Sequence, residues 1–473
     1  MTEQALPAGW AWTMLGDVVL PVGKTDPASF ERPQFKYIDI SAVDGDTQLL
    51  NDVPSVAVGS APSRARQLVR AGDTVFSTVR PYLRKIAWLP EHLDGEIAST
   101  GFCVLRPSSV IDSRFLYFAV TRQDFLDEVI TKQRGVSYPA VRPAEVLEIP
   151  IPLPPLPEQH RIVQALEDHL SRLDAGEQIL SSISRRTDAL TAKLLDDTVL
   201  GATANQPLTS GPPTNLKGRH DRFRYRDLPA LPKDWTWQLA SDSCISINSG
   251  STPKAELMQQ DQGEIPFLKV YNIDPAGHID FTKNPTFVSR DTHRSQLKRS
   301  IALPGDVVTN IVGPPLGKSA VVPDTYPEWN TNQAIVAFRA GDTIQSDWLA
   351  ACLRSPFIVN LLKSTARATA GQFNIALSTC RELPLPVPPL RVQNGLLEEL
   401  EAARLSLRHA SSIQLTAQQR STALRRSLLR AAFNGELIDQ DPTDEPAVVS
   451  LAKIREKQSG TAPRRRRKVV AAK

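Results

Sequence analysis

Apolar positions along this chain fall into a helical rhythm twice, and both times the rhythm begins directly after a proline cluster. In the second copy Leu396, Leu400, Ala403, Leu407, Ala410, Ala417, Leu424, Leu428 and Ala431 alternate steps of four and three, with Gln414 and Ser421 as polar interruptions. That spacing predicts the a/d seam of a coiled coil. In the first copy Leu166, Leu170, Leu173, Leu180, Ile183, Leu190 and Leu194 run in nearly the same phase. The proline clusters mark both helix starts, because proline suits a helix entrance and not its interior. Gly201 and Gly435 mark both ends. Each helix is expected to span roughly 40 residues, about 60 Å at about 1.5 Å per residue. So narrow an apolar stripe does not hold a helix by itself, so the two helices are expected to pair antiparallel.

The likeness extends beyond the helices. Leu156 and Leu390 are separated by 234 residues, as are Gln159 and Gln393, Leu166 and Leu400, Leu173 and Leu407, Leu190 and Leu424, and Leu194 and Leu428. The starts, Leu6-Pro-Ala-Gly-Trp10-Ala-Trp12 and Leu231-Pro-Lys-Asp-Trp235-Thr-Trp237, are separated by 225. By Gly72-Asp73 and Gly305-Asp306 the separation is 233, so the second globular part carries eight extra residues, expected in loops. Thr74–Val79, Phe102–Leu105, Val307–Val312 and Ala334–Phe338 read as strands. Between Asp112 and Val129, and between Asp347 and Leu362, apolar residues recur at helical spacing. Strand and helix do not alternate regularly, so the fold expected is α+β: two irregular globular domains joined by a long antiparallel two-helix coiled coil with pseudo-two-fold symmetry.

The boundaries expected are a first globular domain over 1–155, a helix over 156–201 and a polar linker over 202–228. A second globular domain follows over 229–388, then a helix over 389–436 and a largely disordered tail over 437–473. Antiparallel helices would place the globular parts at opposite ends of a rod, separated by between one and two turns of B-DNA at roughly 34 Å per turn.

Charge adds little by itself. The net charge is +4, and residues 437–473, with nine Lys/Arg and five Asp/Glu, account for all of it. A body that binds DNA must therefore segregate its charges onto one face. The tail ends in Arg464-Arg-Arg-Arg-Lys468. The 4 cysteines (Cys103, Cys244, Cys352, Cys380) lack CxxC spacing and read as reduced cytosolic thiols without a metal. No stretch is apolar enough for a membrane span, and the first residues do not resemble a signal peptide.

The sequence carries no complete catalytic or nucleotide-binding motif. Gly313-Pro-Pro-Leu-Gly317-Lys318-Ser319 is one residue short of a P-loop, and its prolines lack the N–H groups that would cradle phosphate. Val18 stands where the first glycine of a second near-match, ending at Lys24-Thr25, would be. The 7 histidines are scattered, and no nucleophile–base pair stands out. The candidates for DNA contact are loops rich in basic, amide and aromatic side chains. Lys132, Arg134, Tyr138 and Arg142 precede the first proline run, and Arg367, Gln372 and Asn374 precede the second. Arg80, Tyr82, Arg84 and Lys85 follow the first Gly-Asp strand, opposite Lys318 in the second copy. Arginine matches guanine, and glutamine or asparagine matches adenine, in the major groove.

At this point the chain resembles the specificity subunit of type I restriction–modification systems. The resemblance rests on the tryptophan-containing starts, Gly72-Asp73 and Gly305-Asp306, and the run Ile149-Pro-Ile-Pro-Leu-Pro-Pro-Leu-Pro-Glu158-Gln159-His-Arg-Ile162-Val163. It also rests on Ala432-Phe433-Asn-Gly435-Glu436-Leu437 and Asp441-Pro442-Thr-Asp-Glu445-Pro446-Ala447. The second copy departs at Arg391-Val-Gln393-Asn, keeping only the glutamine of Pro-Glu-Gln. The resemblance implies two recognition domains that read an asymmetric two-part DNA site, with Leu166, Leu173, Leu190, Leu194, Leu400, Leu407, Leu424 and Leu428 on helices that measure the spacer and dock partners. It implies two methylation subunits and restriction/translocase subunits as partners, with S-adenosylmethionine, ATP and Mg on those partners and no cofactor or catalytic residue in this chain. The alternatives are a DNA-binding scaffold without sequence preference and a stand-alone nuclease.

Overall fold

The computed structural model describes residues 6–135, 137–203, 207–208, 222–365, 367–369 and 372–460. It divides into two compact units, Met1–Leu180 with Thr416–Lys473, and Ser181–Leu415. The long helices are Leu156–Val199 and Leu390–Asn434. Each unit thus holds the folded part of one repeat, the first half of that repeat's helix and the last part of the other helix. The architecture is mixed helix and sheet, two units joined by helices.

In the first unit the opening strand Ala11–Met14 pairs antiparallel with Pro150–Leu153, Trp12 lying opposite Pro152. The proline run is therefore a strand before it is a helix entrance. A two-stranded ladder tolerates these prolines because the face without a donor needs no partner strand. A four-stranded antiparallel sheet orders Val19–Leu20, Phe102–Pro107, Thr74–Ser77 and Ile86–Trp88. A second sheet orders Ser55–Ala57, Gln34–Ile38, Ile97–Ser99 and Ala65–Leu68, with its central pair parallel.

The second unit repeats this plan. Thr236–Leu239 pairs with Pro384–Val387, and Cys244–Ser249, Ile335–Ala340, Val307–Asn310 and Ser319–Val321 form the four-stranded sheet. Its other sheet has a fifth, edge strand, Met258–Gln260, beside Thr286–Val288. The inserted residues thus contribute a strand rather than only loops.

Shared residues hold both units in the same way. Asp73 accepts from Arg106 Nε at 3.0 Å and Nη2 at 2.7 Å, and Asp306 accepts from the same two atoms of Arg339 at 2.8 Å each. The Gly-Asp motif is thus a buried ionic staple between neighbouring strands, with a fork-to-carboxylate geometry. Gln159 fastens the first helix: Oε1 accepts from Asp112 N at 2.8 Å, and Nε2 donates to Val110 O at 3.0 Å and Pro154 O at 2.9 Å. Gln393 does the same with Gln345 N, Thr343 O and Pro388 O, each at 2.9 Å. Glu158 accepts from Trp10 Nε1 at 3.0 Å; burial raises its carboxyl above the usual range, while that indole N–H pulls it down. Val392 replaces this glutamate in the second unit and packs on its core, and Trp235 meets Trp348 edge-on at 5.6 Å instead.

Within the first unit the helices run antiparallel: Arg425 reaches Asp174 at 2.5 Å and Ser421 reaches Glu177 at 2.7 Å. Phe433 packs on Phe115 at 4.8 Å. Within the second, Leu194 and Leu195 pack on the core that holds Leu396 and Leu400. Both helix ends close on the start of a repeat. A Cβ on Gly435 would lie 2.3 Å from Pro7, and one on Gly201 would lie 2.4 Å from Pro232. Both glycines have positive φ, as a left-handed helix end requires.

Several expectations are corrected. Ile183, Leu190 and Leu424 are exposed, not on the seam. The inward positions include Thr187, Thr191 and Ser421, and Gln414 is buried. Gln414 and Ser421 thus keep the seam positions expected of them as polar interruptions. The helical stretch after Asp112 splits into Ser113–Thr121 and Gln123–Thr131, and its counterpart into Ser346–Arg354 and Pro356–Thr365. Pro356 disfavours helix at Ser355. The polar linker ends early, because Phe223, Tyr225 and Leu228 are buried in the second unit's core. The tail is not disordered from 437: Ala447–Gly460 is a helix, and Ala447 and Leu451 join the first unit's core. Their spacing, continued at Ile454, is a short amphipathic pattern. Arg161 pairs with Asp444 at 2.7 Å, and Ala447 N donates to Gly9 O at 2.9 Å. Arg464–Lys468 lie outside the described residues.

Replacing Gln159 or Gln393 by leucine would leave a buried N–H and two carbonyls unpaired. Each substitution is expected to cost about 1–3 kcal/mol, seen in thermal unfolding as a Tm lowered by roughly 5 °C.

Candidate nucleic-acid interface

The chain leaves the Gly-Asp strand Thr74–Ser77 and turns back within a few residues. Ser77 Oγ donates to Val79 O at 2.8 Å and holds that turn. Val79 then bridges Ala140, which also bridges Arg134. Arg80 N donates to Pro139 O at 2.7 Å and Val141 N to Thr78 O at 2.9 Å. Two segments far apart in sequence, 78–85 and 132–142, become one main-chain platform.

The second unit builds the same platform from other side chains. Val312 bridges Asn374, and Arg367–Thr369 pairs with Gln372–Asn374 as a hairpin in which Arg367 faces Asn374. Ile375 N donates to Ile311 O at 3.1 Å, the counterpart of the Val141 bond. Asn310 takes the place of Ser77: its Nδ2 donates to Pro315 O at 2.9 Å and its Oδ1 accepts from Lys318 N at 3.0 Å. The N–H beside the near-P-loop glycine is therefore already engaged.

Two positions of the platform turn carry left-handed backbone, as Gln48, Arg224, Asp234, Asp261 and Asn284 do elsewhere. Arg80 has φ of 47° and Arg84 of 52°, flanking the turn Pro81–Leu83. Their counterparts are Gly313 and Gly317, with φ of 81° and 88°. Left-handed backbone at both positions belongs to the frame. Placing arginine there costs about 1–2 kcal/mol relative to glycine, so each arginine must do something that glycine does not.

Arg84 turns inward. Its Nη1 donates to Gln123 Oε1 at 2.9 Å and its Nη2 to Thr121 O at 3.1 Å; burial, helped by Arg426, lowers its pKa. Lys85 also turns inward, its Nζ bonding Ile40 O at 3.1 Å and Val43 O at 2.9 Å. These two are set aside as DNA contacts because their donors serve the unit's own carbonyls. Arg80 lies over the ring of Tyr138 at 5.1 Å, and Tyr138 and Tyr82 project from the platform, 73% and 49% exposed. Arg134 is exposed and pairs with Glu145 at 2.6 Å, which also accepts from Arg142 N at 2.9 Å. Lys132 lies 3.7 Å from Glu128. The first unit thus gathers Arg80, Tyr82, Lys132, Arg134, Tyr138 and Arg142 around one platform, with Lys132 and Arg134 beside carboxylates and the two tyrosine rings exposed.

In the second unit Asn374 is exposed and Lys318 partly so. The side chains of Arg367 and Gln372 lie outside the described residues. Sequence reasoning missed Ser77, Asn310, Arg106 and Arg339. The equal separation of 233 residues within each pair was the available signal.

The helix leucines divide by burial. Leu166 and Leu400 are core residues, Leu173, Leu194, Leu407 and Leu428 are half-buried, and Leu190 and Leu424 are exposed. Ile179, Ile183, Leu405, Ile413 and Leu415 are exposed on the same helices. Among the described residues no helix is long and apolar enough to cross a membrane, and no three His, Cys, Asp or Glu residues are grouped to hold a metal.

Residues 7–185 match the family described as type I restriction modification DNA specificity domain. The chain is similar to the EcoKI specificity subunit of Escherichia coli K12, 23% identical over 76% of this chain and 73% of that one. It is similar to the HindI specificity subunit of Haemophilus influenzae, 20% identical over 80% of this chain and 90% of that one. A solved chain from a study of complex assembly and conformational transition in the type I R-M system superposes with a TM-score of 0.72. It is 26% identical and covers 91% of this chain and 99% of its own. The HsdS subunit from Thermoanaerobacter tengcongensis gives a TM-score of 0.50 at 27% identity over 92% of this chain and 99% of its own.

The two inward side chains and the outward ones should separate by measurement. Arg134→Ala and Tyr138→Ala are expected to weaken binding to the target duplex roughly tenfold each without changing Tm. Lys85→Met should lower Tm while the folded fraction keeps its affinity. Fluorescence anisotropy and thermal melts on the same preparations check both outcomes.

Proposed function

We propose that this chain, by sequence and fold a specificity subunit of the type I restriction–modification kind, reads a two-part DNA site with its two units. The long helices set the unread spacer and dock the methylation and restriction subunits. The observation that carries this reading is the pair of equivalent platforms, Val79–Ala140–Arg134 and Val312–Asn374–Arg367. One main-chain frame presents Arg80, Tyr82 and Tyr138 in one unit and Gly313, Pro315 and Asn374 in the other. Different side chains on equal frames read different bases, so the two halves of the site differ.

Exposed leucine and isoleucine on the helices support docking, because apolar side chains at such positions gain by being covered. The chain supplies sequence choice. Methyl transfer from S-adenosylmethionine to adenine, and ATP- and Mg-dependent translocation and cleavage, then belong to the partner subunits.

Four residues inserted into each helix, near Leu180 and near Gln414, add about 6 Å of helix, or about two base pairs. The expected outcome is a spacer longer by that amount with both half-sites unchanged. Methylome sequencing of cells carrying the variant reads it directly. An unchanged spacer overturns the ruler, and loss of any preferred sequence overturns the two-part reading.

A further inference from the structure

The second unit holds a cleft of about 420 Å³ between the turn Pro275–Ile279, the helix Ser346–Arg354 and the start of the second long helix. A smaller one of about 230 Å³ shares its two arginines, Arg354 and Arg404. Both guanidiniums converge on a single main-chain carbonyl. Arg354 Nη1 donates to Ala276 O at 2.6 Å, and Arg404 Nη2 donates to the same oxygen at 3.0 Å. The turn is built for this approach. Asp274 Oδ1 accepts from Gly277 N at 2.7 Å and His278 N at 2.8 Å, and a Cβ on Gly277 would collide with Arg354 at 1.6 Å.

The two cations face the carboxylates of Glu401, Asp347 and Asp274, and Asp188 lines the smaller cleft, but not every N–H is engaged. Arg354 Nε is buried without a hydrogen-bond partner among the described residues. Burial, with Arg404 adding repulsion, pushes the Arg354 pKa down to about 10. Glu401 lies 3.8 Å from Arg404, half exposed, and is also paired with Arg408. Asp347 lines the cleft as well. Two cations held side by side, one with a buried N–H left over, are costly unless an anion joins them.

The first unit serves as an internal control. Gly317, Val321, Ala350 and Ala192 line these clefts. At the equivalent positions the first unit has Arg84, Trp88, Tyr117 and Arg426. There Arg114 lies over the rings of Trp88 at 5.0 Å and Tyr117 at 5.2 Å. The counterparts of Arg354 and Arg404 are Thr121 and Leu170. The second unit has therefore exchanged bulk for space and placed two arginines in it.

We propose that this cleft binds a small oxyanion of the phosphate class, either free phosphate or the phosphate group of a small ester. Two guanidinium forks offer several N–H donors from two directions, which suits a tetrahedral anion with three or more acceptor oxygens. The volume falls within the range of small-molecule sites, roughly 300–1,000 Å³. Gly317 lines the smaller cleft next to Lys318 on the proposed reading platform, so occupancy would stiffen that turn.

The test uses the full chain with inorganic phosphate and, separately, adenosine monophosphate, titrated at constant ionic strength by calorimetry and by phosphorus-31 NMR. Saturable binding is expected in the wild type, weakened at least tenfold in Arg404→Gln and abolished in Ala350→Tyr. Tighter binding of the monophosphate points to an ester, and equal binding to free phosphate. Ala350→Tyr copies a residue that the first unit already folds around, so it decides the question if Arg404→Gln is unstable. Absence of saturable binding, or binding unaltered in Ala350→Tyr, overturns the proposal. So does displacement of all bound phosphate by a short duplex of unrelated sequence, which would make the cleft a contact for the DNA backbone.

Discussion

A long helix with a mostly polar surface is positioned by its ends, and the rest of this protein depends on how those ends are clamped. Each entrance is fixed by one glutamine whose amide satisfies one N–H and two carbonyls inside a unit. A buried amide with all three bonds made is directional, whereas apolar contact alone would leave the helix axis free to rotate. Each exit is fixed by a glycine against a proline, at Gly435–Pro7 and Gly201–Pro232, where a side chain would not fit. Since a unit contains one entrance and one exit, neither repeat completes its core alone. Phe115 needs Phe433, and the second unit's core needs Val199.

Duplication within one chain separates frame from surface. Asp73–Arg106 and Asp306–Arg339 are the same staple, and Gln159 and Gln393 the same clamp. The main-chain bridges from Val79 and Val312 are the same platform. Around these fixed elements the side chains are free to differ. Arg80 stands opposite Gly313, Tyr82 opposite Pro315, and Tyr117 opposite Ala350. A frame held by buried ion pairs and main-chain bonds can exchange its outward residues without altering its stability much, because surface substitutions rarely move it. On the proposed reading, the molecule can change what it reads while keeping how it is built.

The sequence carried the frame legibly. A repeat with a nearly gap-free separation exposed both helices, both proline-marked starts and both glycine ends. The Gly-Asp and Gln positions were visible as repeated, although what they bond was not, because hydrogen-bond partners such as Arg106 and Val110 O come from distant segments. The helix seam departs in part from the leucine spacing, which reports apolar periodicity and not which face meets a partner. Thr187 and Thr191 are half-buried while Leu190 and Leu424 stay exposed. The candidate contact residues were found as two loops, but only the fold joined them through Ala140. Only the fold, too, showed that Arg84 and Lys85 point away from that surface. Direction of a side chain depends on φ and on neighbours that composition does not record.

The left-handed positions of the platform turn differ in how their strain is offset. At the platform turn two residues per unit adopt this backbone, and glycine is the unstrained choice there, as Gly313 and Gly317 demonstrate. At Arg84 the strain is offset within the unit, by bonds to Gln123 and Thr121 that fasten the turn to the helices behind it. At Arg80 the compensation is small: a 3.5 Å contact to Ser137 O and a stack on an exposed tyrosine. Strain that the fold does not recover is characteristic of positions retained for what they touch outside it. On the proposed reading, Arg80 and Tyr138 form a preassembled cation–aromatic pair. The ring holds the guanidinium in place before DNA arrives, which reduces the entropy lost on contact.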